Sequence, residues 1–209
     1  MPRRQPLSAD RIVEAALALA DREGPDAVTM RRLGRELGVE GMALYGYFAS
    51  KAELLGAVAE RILSELELEP PPGASWQDRV RHVIASWAGL RDRHPGGFQL
   101  LYAQRSWASR EFAPIEELLD ALHAAGLPPE RSILAYHTLV WMLDGILLSR
   151  GYRDDPVSGV WRRGVELVDP AAYPRYVEAA PYASTLSGRA IFDYGADLLV
   201  RGLESLVEG

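Results

Sequence analysis

The chain has no cysteine, which removes disulfides, thiolate metal sites and cysteine nucleophiles together. It has no asparagine either, and Lys51 is the single lysine among 23 basic residues. Such usage marks a GC-rich coding sequence and carries no function. No apolar run approaches the roughly 20 residues of a membrane span. The start, MPRRQPLSADRI, lacks the apolar stretch of a secretory signal. The expectation is a cytoplasmic protein with no membrane partner. Short alternating segments between turn signals are missing, which argues against strands, and no 20–50-residue repeat is present. What is there, 209 residues with 48% apolar and 25% charged side chains, suffices to bury a core.

Catalytic signatures are equally scarce. His82, His94, His123 and His137 form no metal-binding H-x-x-x-H or H-E-x-x-H pair. There is no G-x-S-x-G elbow, phosphate loop or dinucleotide fingerprint. The adjacent pairs Glu116–Glu117 and Asp154–Asp155 read as solvated acids. Neither an enzyme nor a cofactor or metal is expected.

Punctuation cuts the chain into helices. Ser8 caps a first helix with apolar Ile12, Ala16, Leu19 and Ala20 at helical spacing, ended by Gly24-Pro25. Thr29 caps a short second helix, residues 30–37, stopped by Gly38. A third covers about 41–48. Ser50-Lys51-Ala52-Glu53 is a capping box, opening a fourth helix with the stripe Leu54, Leu55, Val58, Ile62 and Leu66. Pro70-Pro71-Pro72-Gly73 ends it. Ser75 with Asp78 starts the next helix, broken at His94-Pro95-Gly96-Gly97. Further helices fit 98–107, 113–125, 130–150 and 188–207, and the proline-bearing stretch 152–187 reads as a long loop holding one or two short helices. The fold class is all-α, in three parts: an N-terminal helix-turn-helix head over 1–50, a connecting helix and proline-rich linker over 51–73, and a larger helical domain over 74–209.

The net charge of -6 is unevenly spread. Residues 1–51 carry eight basic against seven acidic groups, and residues 52–209 fifteen against twenty-two. The first quarter is thus the part tolerant of a polyanion. Within it, two short helices joined by Gly38-Val39-Glu40 have the form of a helix-turn-helix, whose second helix enters the DNA major groove. Leu33, Leu37, Val39, Leu44 and Phe48 can fix the interhelical angle. Thr29, Tyr45, Tyr47 and Lys51 are left over to reach phosphates. Tyr45 and Tyr47, two apart on a helix, cannot share one face, so at least one is exposed. Lys51 stands at a helix N-terminus, an unfavourable place for a cation unless an anion joins it; the alternative is a solvated lysine.

At these residues the sequence resembles the TetR family of bacterial transcriptional regulators. The resemblance covers about residues 8–55 and rests on the Thr29-to-Gly38 helix, Val39, Leu44-Tyr45-x-Tyr47-Phe48 and Ser50-Lys51-x-x-Leu54-Leu55. It implies that Thr29, Tyr45 and Lys51 contact phosphates, while Arg31, Gly41, Met42, Ala43 and Tyr47 lie at or near base edges. Arg32 joins Arg31 among the DNA-binding candidates. Arg31 suits a bidentate contact with guanine, and Met42 and Ala43 suit thymine methyls. Arg3 and Arg4 form a short basic arm suited to the minor groove, the alternative being a terminus without contact. Gly41 and Gly46 depart from the longer, often polar residues of many relatives, and each costs a helix roughly 0.5–1 kcal/mol.

The resemblance further implies a homodimer that leaves a palindromic DNA operator when a small-molecule effector binds the C-terminal domain. The tetracycline-repressor-like branch of the family builds its four-helix dimer interface from two C-terminal helices of each subunit. Those matching here are about 130–150 and 188–207. Phe192, Ala196, Leu199 and Leu203 are the contact candidates, the alternative being an internal core stripe. Trp87, Phe98, Tyr102, Trp107, His137, Trp141 and Asp144 are candidates to line an apolar pocket with polar handles, against core packing for each. The branch's drug–magnesium site uses a histidine where this chain reads Phe98-Gln99-Leu100-Leu101-Tyr102, so a metal-linked ligand is not expected. The competing reading is a helical small-molecule- or partner-binding protein with weak or lost DNA binding.

Overall fold

A computed structural model describes residues 6–103, 112–149, 156–183 and 185–207. Ser8 turns the chain helical: its side-chain oxygen accepts the Arg11 N–H at 3.3 Å and opens α1, Ala9–Glu23. A 3₁₀ turn at Pro25–Ala27 leads to α2, Met30–Leu37, where the Thr29 hydroxyl oxygen accepts the Arg32 N–H at 3.1 Å. Gly38 ends α2 at φ 68°, the left-handed region a glycine enters without strain. In α3, Lys51–Leu63, Ser50 accepts the Glu53 N–H, and the Glu53 carboxylate accepts the Ala49 N–H at 2.6 Å. The capping box is therefore present but reaches one residue further back than its usual form. Leu66, expected on the α3 stripe, lies beyond the helix end.

The remaining helices are α4, Trp76–Arg93; α5, Pro95–Ala103; α6, Phe112–Ala124; α7, Pro129–Leu148; α8, Pro156–Leu167; α9, Pro174–Ala183; and α10, Gly188–Val207. Two differences from the sequence reading share one cause. Pro95, Pro156 and Pro174 read in the sequence as interruptions, yet each is the first residue of a helix, where a missing N–H costs nothing and a fixed φ already suits the turn. So α5 begins at Pro95 with Gly96 and Gly97 in its first turn, and the stretch read over 152–187 as a loop holding one or two short helices holds two among the described residues, of 12 and 10 residues. No strand occurs among the described residues.

Contacts divide the chain into two compact units, residues 1–74 with 82–118, and residues 75–81 with 119–209. In the first, α1 packs against α2, α3 and α5, and α3 packs on α5. Ile12, Leu19, Leu33, Leu44, Leu54, Ile62, Leu90 and Phe98 are fully buried there, each contributing roughly 1.5–3 kcal/mol through apolar surface removed from water. In the second, α7 packs on α10 and α8 on α9, around Leu122, Leu139, Leu147 and Phe192. The Trp161 and Tyr176 rings stack at 4.5 Å to join α8 to α9.

Candidate functional site

The head is built around close backbone approach. A Cβ added to Gly34 would stand 2.7 Å from the Gly41 nitrogen, and one on Gly41 would stand 3.0 Å from the Met30 carbonyl oxygen. The second element of the motif therefore sits backbone-to-backbone on α2. That element differs from expectation. Gly41–Gly46 forms a 3₁₀ helix rather than the α-helix read over 41–48, in keeping with two glycines at its ends that withhold helix propensity. Leu33, Leu44 and Phe48 are buried, pinning it to the head.

Around that scaffold, Met42 is 73% exposed, and Ala43, Tyr45, Tyr47, Arg31 and Lys51 also face solvent. Lys51 is the first residue of α3, beside its free N–H groups. Thr29 is exposed, with its hydroxyl engaged as the α2 cap. Gly41 is half-buried against α2, so what it contributes is proximity rather than a side chain. Arg32 is engaged within the head: its guanidinium donates to Glu23 at 2.7 Å and Glu36 at 2.6 Å, and Arg22 also reaches both acids. Hydrogen bonds from Arg32 and then Arg22 hold the Glu23 carboxyl below its usual range, and the bonds to Glu23 and Glu36 raise Arg32. Tyr47 donates its hydroxyl proton to the Leu7 carbonyl at 2.9 Å. Arg3 and Arg4 lie outside the described residues.

The head is tied to the start of α5. Asp21, in the last turn of α1, accepts the Gly96 and Gly97 N–H groups on Oδ1, both at 2.9 Å. Its Oδ2 lies 3.0 Å from His94 Nδ1, while His94 Nε2 lies 3.1 Å from Glu65 Oε2. Gly96 is required by space, because a Cβ there would overlap the backbone of Ala20 and Asp21, whereas one on Gly97 would press on the Leu17 and Ile62 side-chain ends. Glu65 also accepts from Arg61 at 2.6 Å and Arg93 at 3.0 Å, and Arg61 reaches Glu14. Partial burial pushes the Glu65 carboxyl up, but Arg61, His94 and Arg93 together outweigh it and hold the group below its ordinary value.

Immediately past this clamp, three of the pocket candidates come together. Phe98 packs against Trp87 at 5.6 Å edge-on and Tyr102 at 5.3 Å, and Trp87 Nε1 donates to the Tyr102 hydroxyl at 3.3 Å. Phe98 is the buried floor of this cluster and Tyr102 an exposed edge. His137 and Trp141 form a separate pair on α7 at 5.4 Å, with Trp141 72% exposed and Asp144 buried. Trp107 lies outside the described residues. No group of acids and histidines suited to a metal occurs among the described residues.

On α10, Phe192, Ala196 and Leu203 turn into the unit's own core and Leu199 is half-buried. The apolar surface this helix presents to solvent is another stripe, Tyr194, Leu198, Gly202 and Leu206, spaced four residues apart with Ile191 half-buried at its start. A counterpart runs along α7 through Leu134, Thr138, Trp141, Gly145 and Leu148.

Residues 12–58 match the family described as bacterial regulatory proteins, tetR family. The chain is 31% identical to the class A tetracycline repressor protein from transposon 1721 of Escherichia coli, over 94% of its own length and 90% of that protein's. It belongs to the TetR family. Among solved structures, this TetR-family chain is similar to the Streptomyces coelicolor protein ActR in complex with actinorhodin, at 25% identity, TM-score 0.80 and coverage of 98% and 100%. It is also similar to BioQ with its double-stranded DNA operator, at 26% identity, TM-score 0.67 and coverage of 95% and 99%. The family is one of transcriptional regulators rather than enzymes, and no described helix is long and apolar enough to cross a membrane.

Sequence reasoning on this TetR-family regulator missed Gly34 and the Asp21–His94–Glu65 clamp. One signal was available. An acid in the last turn of a helix opposes the helix dipole, so Asp21 required a partner from elsewhere.

Proposed function

We propose that the protein represses transcription by holding a palindromic operator as a homodimer, and that a small molecule bound beyond the head releases it. The observation that carries this reading is the head itself: a capped α2, a left-handed Gly38 and a tightly seated 3₁₀ segment displaying Met42, Ala43 and Tyr45 beside Arg31, with Lys51 at a helix N-terminus. Thr29, Tyr45 and Lys51 are assigned to phosphates, and Arg31, Met42 and Ala43 to base edges. Gly41 serves by bringing its neighbours close, and Arg32 is the weakest candidate because two carboxylates already occupy it.

The same compact unit contains the head and the Trp87–Phe98–Tyr102 cluster, with the Asp21 clamp between them along α5. A small molecule with an apolar face that wedges against Trp87 and Tyr102 would displace α5, and α1 with it. The class A relative is named a repressor and ActR was solved with actinorhodin, which supports both halves of the reading. For the dimer, the exposed stripes of α7 and α10 are the surfaces we assign to a second copy, since large apolar side chains such as Leu134, Trp141 and Tyr194 there lack cover from their own unit.

Selection from a random-duplex pool at two salt concentrations tests the reading. Enrichment of a palindrome whose affinity falls as salt rises is expected, because phosphate contacts release counterions. Lys51→Ala and Tyr45→Phe then weaken all sites alike, while changes at Arg31, Met42 or Ala43 shift sequence preference. No enrichment with protein refolded free of ligand would favour the competing reading, a binding protein without a working DNA head.

A further inference from the structure

Arg22 and Arg32 share the same two acids. Arg32 donates to Glu23 at 2.7 Å and to Glu36 at 2.6 Å, and Arg22 donates to Glu23 at 2.9 Å and to Glu36 at 3.1 Å. The four side chains close a ring between the end of α1 and α2 that carries no net charge. Two of them stand at the wrong end of a helix dipole, Glu23 as the last residue of α1 and Arg32 in the first turn of α2. Exposed pairs of this kind add little stability, so their worth to the fold is small. Their position tells more. The recognition segment, through Gly41, is seated on α2 at Met30, Arg31 and Gly34. At about 100° per residue, Arg32 and Glu36 fall on roughly the opposite side of that helix.

We propose that Glu23 and Glu36 decide which face of the head DNA can use: by occupying Arg22 and Arg32 they silence a second basic face, turned away from the recognition segment. Two guanidinium groups that share one carboxylate are close enough to share one phosphate. Released from the acids, they would hold any duplex by its backbone and leave the recognition segment idle, because phosphate contacts carry no sequence information. The internal carboxylates compete with phosphate for the same donors. An operator read through Arg31, Met42 and Ala43 lies on the other side of α2 and is indifferent to the ring. Glu23 and Glu36 are then specificity determinants that touch no DNA and act by suppressing a wrong mode of binding. The hydrogen bonds from both arginines keep Glu23 in its charged, competing form. This inference rests on the operator-binding reading above.

The test uses the full-length protein, a random-sequence duplex and the operator obtained by selection, each titrated over a range of salt. Glu23→Gln/Glu36→Gln keeps the shape of both side chains and removes their charge; circular dichroism and the unfolding midpoint check the fold. This variant is expected to bind the random duplex about tenfold more tightly at 0.1 M salt, with a slope steeper by about one per subunit. Its operator affinity should stay within about twofold, so the preference for operator falls about tenfold. Glu36→Gln alone, which leaves Glu23 bridging both arginines, should show a smaller change in the same direction. Adding Arg22→Gln and Arg32→Gln to the double variant should restore the original random-duplex affinity and slope. Glu178→Gln/Asp193→Asn removes the same charge from two other arginine partners and should change neither duplex. An unchanged random-duplex slope in the double variant, an equal gain on operator and random DNA, or the same gain in the charge-matched control would overturn the inference. Failure to select any operator would sink the operator reading, while the random-duplex titrations would still decide whether the acids silence the two arginines.

Discussion

Gly34 and Gly96 lie in helices of one compact unit, Gly145 and Gly202 in helices of the other, and the missing Cβ is used in opposite ways. At Gly34 and Gly96 the space is filled by the protein's own backbone, at 2.7 Å from Gly41 N and 1.9 Å from the Ala20 carbonyl oxygen. At Gly145 and Gly202 nothing lies within 4 Å, although each sits within an exposed apolar stripe. A helix-interior glycine costs roughly 0.5–1 kcal/mol relative to alanine. At Gly34 and Gly96 that cost accompanies a close backbone approach, whereas at Gly145 and Gly202 no contact within the chain accompanies it, which suits the second copy proposed for this surface.

Substitution breaks or sharpens this contrast. The largest effect is expected from Gly96→Ala, which cannot keep α5 against α1 and should lose about 3 kcal/mol or more in urea unfolding. Retained stability would mean that the close approach is not needed. Next is Asp21→Ala. It strands two N–H groups and should cost about 2 kcal/mol, and it should blunt effector-driven release of DNA because α5 no longer holds α1. Smaller and of mixed sign is Gly202→Ala: helix propensity should add up to about 1 kcal/mol to the subunit, while sedimentation should show the proposed dimer weakened roughly tenfold, equivalent to about 1.4 kcal/mol. A dimer unchanged by the methyl would remove Gly202 from the interface. The smallest effect is at Glu65. Its carboxyl is held below the ordinary value of 4.5, so its stabilising share is complete above that pH and is lost as pH falls through the lowered folded value. Glu65→Gln should flatten the acid limb of stability against pH below about 4.5 and leave the neutral range nearly level in shape.

What could be read in advance was local. Ser8, Thr29 and Ser50 announce helix starts because each cap is decided within three residues, and Gly38 marks the turn because its backbone conformation is its own requirement. The helix-turn-helix followed from such rules, and so did the exposure of at least one of Tyr45 and Tyr47; the structure exposes both. The clamp was illegible because Asp21 meets Gly96 and Gly97 across some 75 residues, and only folding shows that Pro95 opens a helix. The two faces of α10 were hard to separate for another reason. Phe192, Ala196 and Leu203 inside and Tyr194, Leu198 and Leu206 outside are similarly apolar, so hydrophobicity alone gives no inward direction.

The clamp bears on how freely such heads can be exchanged between sensory bodies. Residues 1–74 do not make up the first unit by themselves; they share it with 82–118, and Asp21 keeps its backbone partners only if the incoming body opens its α5 with two glycines. A graft cut at the proline run would carry the operator preference across. If the clamp transmits effector binding as proposed, the graft would leave that joint behind, and the chimera would stay on its operator when the effector binds.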